Sequence, residues 1–137
     1  MEQTEIREVI SRSIYDNDLG FLAELIEKLD IEIGITLMVK GLLVSGMLVS
    51  GKKYYTQVSE QLQSSGEAAK AISQYFSAKA ENFGIEKPEE AEFNFLNLIN
   101  IAFLKGDGQM GEVNGGRLRL KLEEVDGYIL GKPSNSQ

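Results

Sequence analysis

Residues 31 to 51, Ile-Glu-Ile-Gly-Ile-Thr-Leu-Met-Val-Lys-Gly-Leu-Leu-Val-Ser-Gly-Met-Leu-Val-Ser-Gly, restrict the fold more than any other stretch of this chain. Ile31, Ile33, Ile35, Leu37 and Val39 share one parity. Glu32, Gly34, Thr36 and Lys40 share the other, with Met38 the only apolar exception. Side chains of extended backbone alternate between two faces, so this pattern predicts a half-buried β-strand. Gly41 supplies a turn because glycine tolerates positive φ. Residues 42–50 then predict a second strand, apolar on both faces and so covered on both. Gly46 and Gly51 leave room for a bend or a bulge, which a small curved sheet needs.

Two short amphipathic helices are expected before that hairpin. The first spans residues 2–15, with Ile6, Val9, Ile10 and Ile14 at helical spacing and Thr4 able to cap it. Asp18 is the expected N-cap of the second, about 19–29, whose stripe is Leu22, Leu25, Ile26 and Leu29. After the hairpin, Lys52 to Ser64 reads as a helix on Tyr55, Val58 and Leu62. Glu67 to Phe83 reads as a longer one. Ala68, Ala69, Ile72, Tyr75, Phe76, Lys79, Ala80 and Phe83 form its stripe, and Gly84 its stop. Residues 85–92 are a charged loop. Residues 93–104 predict a third strand, with Phe93, Phe95, Ile99, Ile101 and Phe103 on one face and Leu96, Leu98, Ala102 and Leu104 on the other. Residues 105–116 are glycine-rich and read as a flexible connection. Arg117 to Glu124 alternates again, Leu118, Leu120 and Leu122 inward, Arg117, Arg119, Lys121 and Glu123 outward. Asp126-Gly127 predicts a tight turn into a last short strand, Tyr128-Ile129-Leu130.

The expected fold class is therefore α+β. It is a small, strongly curved antiparallel sheet, or a half-open SH3-like or Sm-like barrel, of about five strands. N-terminal helices precede it and a helical insertion follows strand 2. A flat antiparallel sheet with helices on one face is the alternative. Residues 1–29 form an N-terminal helical segment packing on or extending from the domain, 30–133 the α+β domain, and 134–137 a frayed tail.

Composition removes whole classes of chemistry. The 137 residues contain no cysteine and no histidine. Disulfides, thiolate nucleophiles, zinc-thiolate sites and Ser-His-Asp or Cys-His mechanisms are excluded. A net charge of −7 opposes binding to nucleic acid or anionic membrane. No stretch approaches the roughly 20 apolar residues of a membrane helix. The acidic start, with no apolar core behind it, makes a cytoplasmic setting the expectation.

Candidate sites are few. Gly106-Asp-Gly-Gln-Met-Gly111 is a literal G-x-G-x-x-G after a strand. A strand pattern follows it, whereas a pyrophosphate site needs a helix there, so it reads as a mobile hairpin loop. Asp107, Glu112 and Asn114 carry calcium-type oxygens without the spacing of an EF-hand. Glu86, Glu89, Glu90 and Glu92 read as a solvated run. Glu123, Glu124 and Asp126 read as cross-strand ion-pair partners of Arg119 and Lys121. Tyr54, Tyr55 and Tyr75 read as residues of the core edge. No catalytic, cofactor-binding or metal-binding residue is assigned, and no cofactor is expected.

Several segments together resemble the gas vesicle accessory protein U family. They are Asp30-Ile-Glu-Ile-Gly-Ile-Thr-Leu-Met-Val-Lys-Gly41, Leu43-Val-Ser-Gly-Met-Leu-Val-Ser50, Lys53-Tyr-Tyr55, Ala71-Ile-Ser-Gln-Tyr-Phe-Ser77 and Glu124-Val-Asp-Gly-Tyr-Ile-Leu-Gly-Lys132. The resemblance covers about residues 30–133. It implies a cytoplasmic, non-enzymatic accessory protein associated with gas vesicle clustering. Its implied partners are gas vesicle surface proteins or itself as a homo-oligomer, with no nucleic acid and no membrane insertion. A small-ligand receptor or carboxylate-based enzyme is the alternative function.

Overall fold

The hairpin forms as the alternation predicts. In the computed structural model, which describes residues 16–85 and 93–133, β1 (Ile33–Val39) pairs antiparallel with β2 (Leu42–Val49). Val39 lies opposite Leu42, so Lys40 and Gly41 alone make the turn, at φ 52° and 81°. Two positive φ values in a two-residue turn match the right-handed twist of the strands. Gly41 was legible as a turn residue; Lys40 in the left-handed region was not. Its conformation is held by its N–H donating to Asp126 Oδ2 (2.7 Å) and its Nζ pairing with Glu124 (2.9 Å). Lys40→Gly is expected to raise the unfolding free energy by about 0.5 kcal/mol. Relief of the left-handed strain, roughly 1 kcal/mol, exceeds the worth of a largely exposed ion pair. A lower urea midpoint in the variant would reverse that order.

Next to β2 runs β3 (Phe95–Leu104), and here the two-residue period breaks. Val44 faces Phe103 and Leu48 faces Leu98, with the register shifting between Ser45 and Met47. Asn100 takes up the extra residue at φ 53°, a conformation asparagine adopts more readily than most. The bulge resets the phase. Leu96, Leu98, Ile101 and Phe103 share the core face, and Phe95, Asn97, Ile99, Ala102 and Leu104 the other. This corrects the uninterrupted alternation expected for 93–104. Gly46 faces the bulge as expected. Gly51 bends no strand; it opens a helix.

On the far side of β3 lie two strands in tandem. β4 (Met110–Glu112) pairs with Ala102–Leu104, and β5 (Arg117–Lys121) with Phe95–Ile99. The stretch 105–116 is thus not a featureless connection. It holds a six-strand sheet's shortest strand, anchored by Met110, which is 8% exposed. β6 (Gly127–Leu130) pairs with β1 at the opposite edge, giving the order β4-β3-β2-β1-β6 with β5 beside β3. The expected final hairpin does not form. A 3₁₀ turn, Leu122–Glu124, buries Leu122 and leads the chain away from β5. Asp126 then docks on the first hairpin, its N–H donating to the Met38 carbonyl. Every pairing is antiparallel and the sheet is open, not a closed barrel.

Among the described residues one helix covers the core face. α1 (Asn17–Leu29) is capped by Asp16, not Asp18; Asp16 Oδ1 accepts from the N–H groups of Asp18 and Leu19. It buries Leu19, Ala23 and Ile26 against Ile35, Leu37, Val44, Leu48 and Leu98. The buried stripe is rotated from the expected one, and Leu29 is exposed. A helical hairpin follows strand 2, as anticipated. Its arms are α2 (Gly51–Gln63), capped by the Ser50 hydroxyl, and α3 (Glu67–Ile85), which runs past Gly84. Ser59 and Ser73 bind each other across it, the Ser73 hydroxyl donating to the Ser59 carbonyl at 3.0 Å. Ile72 and Tyr75, placed in the stripe by spacing, are 53% and 60% exposed. The expected first helix, the charged run 86–92 and the tail 134–137 lie outside the described residues.

Candidate functional site

Side chains of α2 and β5 join the helical hairpin to the sheet. Tyr55 is buried on α2 and stacks on Phe76 and Phe83, with ring centroids 5.8 and 5.9 Å away. Arg119 projects from β5 on the face opposite α1, beside Asn97. Its guanidinium lies 4.0 Å from the Phe95 ring centroid and 5.3 Å from that of Tyr55, and donates to Asn97 Oδ1 at 2.8 Å. The strand alternation marked Arg119 as an outward charge. It is instead a cation held between two aromatic faces, an attraction that desolvation strengthens. Arg117 extends the contact, donating to Gln57 and Gln61 of α2. The helices therefore cover both faces, and the alternative of helices on one face is overturned.

The sequence-level candidates do not converge. The G-x-G-x-x-G stretch spans the β3–β4 turn, closed by Lys105 N–H donating to the Gln109 carbonyl at 2.8 Å, and the first two residues of β4. A strand begins inside it, so no helix N-terminus meets a phosphate there. Asp107 accepts from the Gln109 backbone N–H, which holds its carboxyl below the usual range. Glu112 and Asn114 line a cavity of about 590 Å³ with Asn100 and Lys132, and Asp107 is not among its walls. Asp126 accepts from the Lys40 N–H and Glu124 pairs with the Lys40 ammonium, and β5 and β6 are not neighbours. A second cavity, about 380 Å³, lies between α2 and α3, where Glu60 and Glu81 are both open to water. Among the described residues no group of three Asp or Glu side chains could hold a metal ion.

What the sequence concealed is, among the described residues, a sheet edge. β6 hydrogen-bonds to β1 on one side. Ile129 and Leu130 are 59% and 61% exposed. Asp126-Gly127 suggested a hairpin that would have covered this strand; the uncharged run Gly-Tyr-Ile-Leu was the available signal. β6 is tied to α1 by the Tyr128 hydroxyl, which donates to Asp18 Oδ2 at 2.8 Å. That bond, with some desolvation, holds the phenol pKa above its ordinary value near 10. A raised folded-state value means the stabilisation is complete below the unfolded phenol value and is lost as pH rises through the folded one. Melting temperatures between pH 8 and pH 11 should fall less steeply at the alkaline end for Tyr128→Phe than for the native chain. Parallel curves would show that the bond contributes nothing.

Among the described residues no helix is long and apolar enough to cross a membrane. No curated protein and no solved structure matched the chain. A protein-family model, gas vesicle protein GvpU-like, matches residues 16–133. That span takes in α1, the whole sheet and the helical hairpin, and it begins at the Asp16 cap. The chain is therefore a member of the gas vesicle protein GvpU-like family.

Proposed function

We propose that this chain is a cytoplasmic gas vesicle accessory protein that acts without catalysis. It self-associates and contacts vesicle surface proteins, and so promotes vesicle clustering. The family match over residues 16–133 carries this reading. Its physical support is a surface with no histidine or cysteine and an uncharged strand that is open among the described residues. Purified chain added to intact gas vesicles should co-sediment with them and enlarge the clusters seen by light scattering. Protein left in the supernatant with unchanged scattering would refute the proposal.

The scaffold that presents this strand is, on the same reading, a strongly curled sheet. Lys121 lies level with Phe95 at one end of β3, and Gly127 level with Leu104 at the other. In a flat sheet they would be roughly 30 Å apart, four strand spacings across and some eight residues along. Six peptide links reach at most roughly 22 Å. Lys132 and Asn114, from opposite edges, share one cavity, which also supports curling. On this reading residues 30–133 are the α+β unit and 1–29 the segment before it, whose α1 packs on the sheet through Leu19 and Ile26.

A further inference from the structure

We propose that β6 is a self-pairing edge, where two copies of the chain join by antiparallel β6–β6 addition about a two-fold axis at Ile129. The inference rests on the self-association reading above and names its surface. The backbone sets the geometry. Thr36 faces Ile129, and the Gly131 N–H donates to the Gly34 carbonyl at 2.8 Å. Hydrogen-bonding direction alternates along an antiparallel strand. Ile129 and Gly131 thus spend their polar groups on β1, while the N–H and C=O of Tyr128 and Leu130 point away from the sheet.

The two edges of the sheet differ in their protection. The β5 edge carries Arg117, Arg119 and Lys121, and β4 is three residues long. Charges and short strands are the usual defences against unwanted pairing. β6, Gly-Tyr-Ile-Leu, has no charge and no proline. It also has a single favoured register with itself. With Ile129 opposite Ile129, each Tyr128 meets the partner's Leu130, and the outward groups close four hydrogen bonds. A one-residue slip would set outward groups against inward ones. Asp126 precedes the strand and Lys132 follows it, so an antiparallel copy brings an acidic start near a basic end. The two exposed Ile129 side chains meet at the non-hydrogen-bonded position, where opposed residues approach closest. This self-complementarity selects a second copy over an unrelated extended peptide.

The chain has no cysteine, so single cysteines report the register directly. Sedimentation velocity on the full chain should show a dimer, and Ile129→Lys should weaken it at least tenfold while the thermal melt is kept, because Ile129 is largely exposed. Under mild oxidation Ile129→Cys should form a covalent dimer. Leu130→Cys should not, because its two copies sit about 8–9 Å apart, beyond disulfide reach. A chain that stays monomeric at every concentration sinks the self-association reading and this one together. An oligomer that survives Ile129→Lys and gives no Ile129→Cys crosslink leaves self-association standing and overturns the β6 pairing. So does a variant that loses vesicle binding with its oligomeric state intact, for then the edge takes a vesicle protein instead.

Discussion

Tyr55→Ala is expected to destabilise the protein by about 3–4 kcal/mol, the range for truncating a buried aromatic side chain. Tyr55 is 5% exposed and is shared by three layers of contact. Phe76 and Phe83 stack on it from α3, Tyr54 meets it edge-on at 5.2 Å, and Arg119 and Lys79 stand over its ring at 5.3 and 5.5 Å. Alanine removes the ring from all of these at once, and takes one aromatic face from the Arg119 guanidinium. Tyr55→Phe keeps the ring and should cost less than Tyr55→Ala. Urea unfolding of the three proteins settles the matter. Equal midpoints for Tyr55→Ala and the native chain would mean that the helical hairpin does not depend on this side chain.

Gly46→Val should cost about 3 kcal/mol, the upper end of ordinary overpacking. Gly46 lies opposite the β3 bulge, and a β-carbon there would sit 3.0 Å from the Ile99 carbonyl oxygen, 3.1 Å from Leu98 Cδ2 and 3.2 Å from Ile101 Cγ2. The oxygen belongs to backbone and cannot swing aside. Gly106, in the β3–β4 turn, has nothing within 4 Å of such a carbon. Gly106→Ala should therefore change stability by less than about 0.5 kcal/mol. Comparable losses at the two glycines would remove the bulge as the reason for Gly46.

The first hairpin was legible because it obeys a local rule. Ile33, Ile35, Leu37 and Val39 alternate, Gly41 turns, and nothing distant is needed to place them. The helical insertion was legible in the same way. The phase of β3 was not, because Leu96–Leu104 is apolar on both parities. An apolar strand does not reveal its own bulge, and Asn100 in the left-handed region is the sole local mark. Strand pairing at the C-terminus was misread for a different reason. Asp126-Gly127 is a hairpin signal only when its flanking strands are neighbours, and the 3₁₀ turn burying Leu122 sends them to opposite edges. Arg119 was misread because alternation reports the side of a sheet, and α2 covers that side too. The candidate interaction strand was hidden by the same error, since a hairpin would have paired it.

Amide hydrogen exchange of Tyr128, Ile129 and Leu130, followed by NMR as a function of protein concentration, tests the open edge most directly. Ile129 should be protected at every concentration, because its N–H faces Thr36 on β1. Tyr128 and Leu130 should exchange fast in dilute solution and slow together as copies pair. Protection of Tyr128 and Leu130 that persists at the lowest concentration would mean the chain already covers this strand itself. Fast exchange at all concentrations would mean nothing pairs with it, and either result contradicts the account.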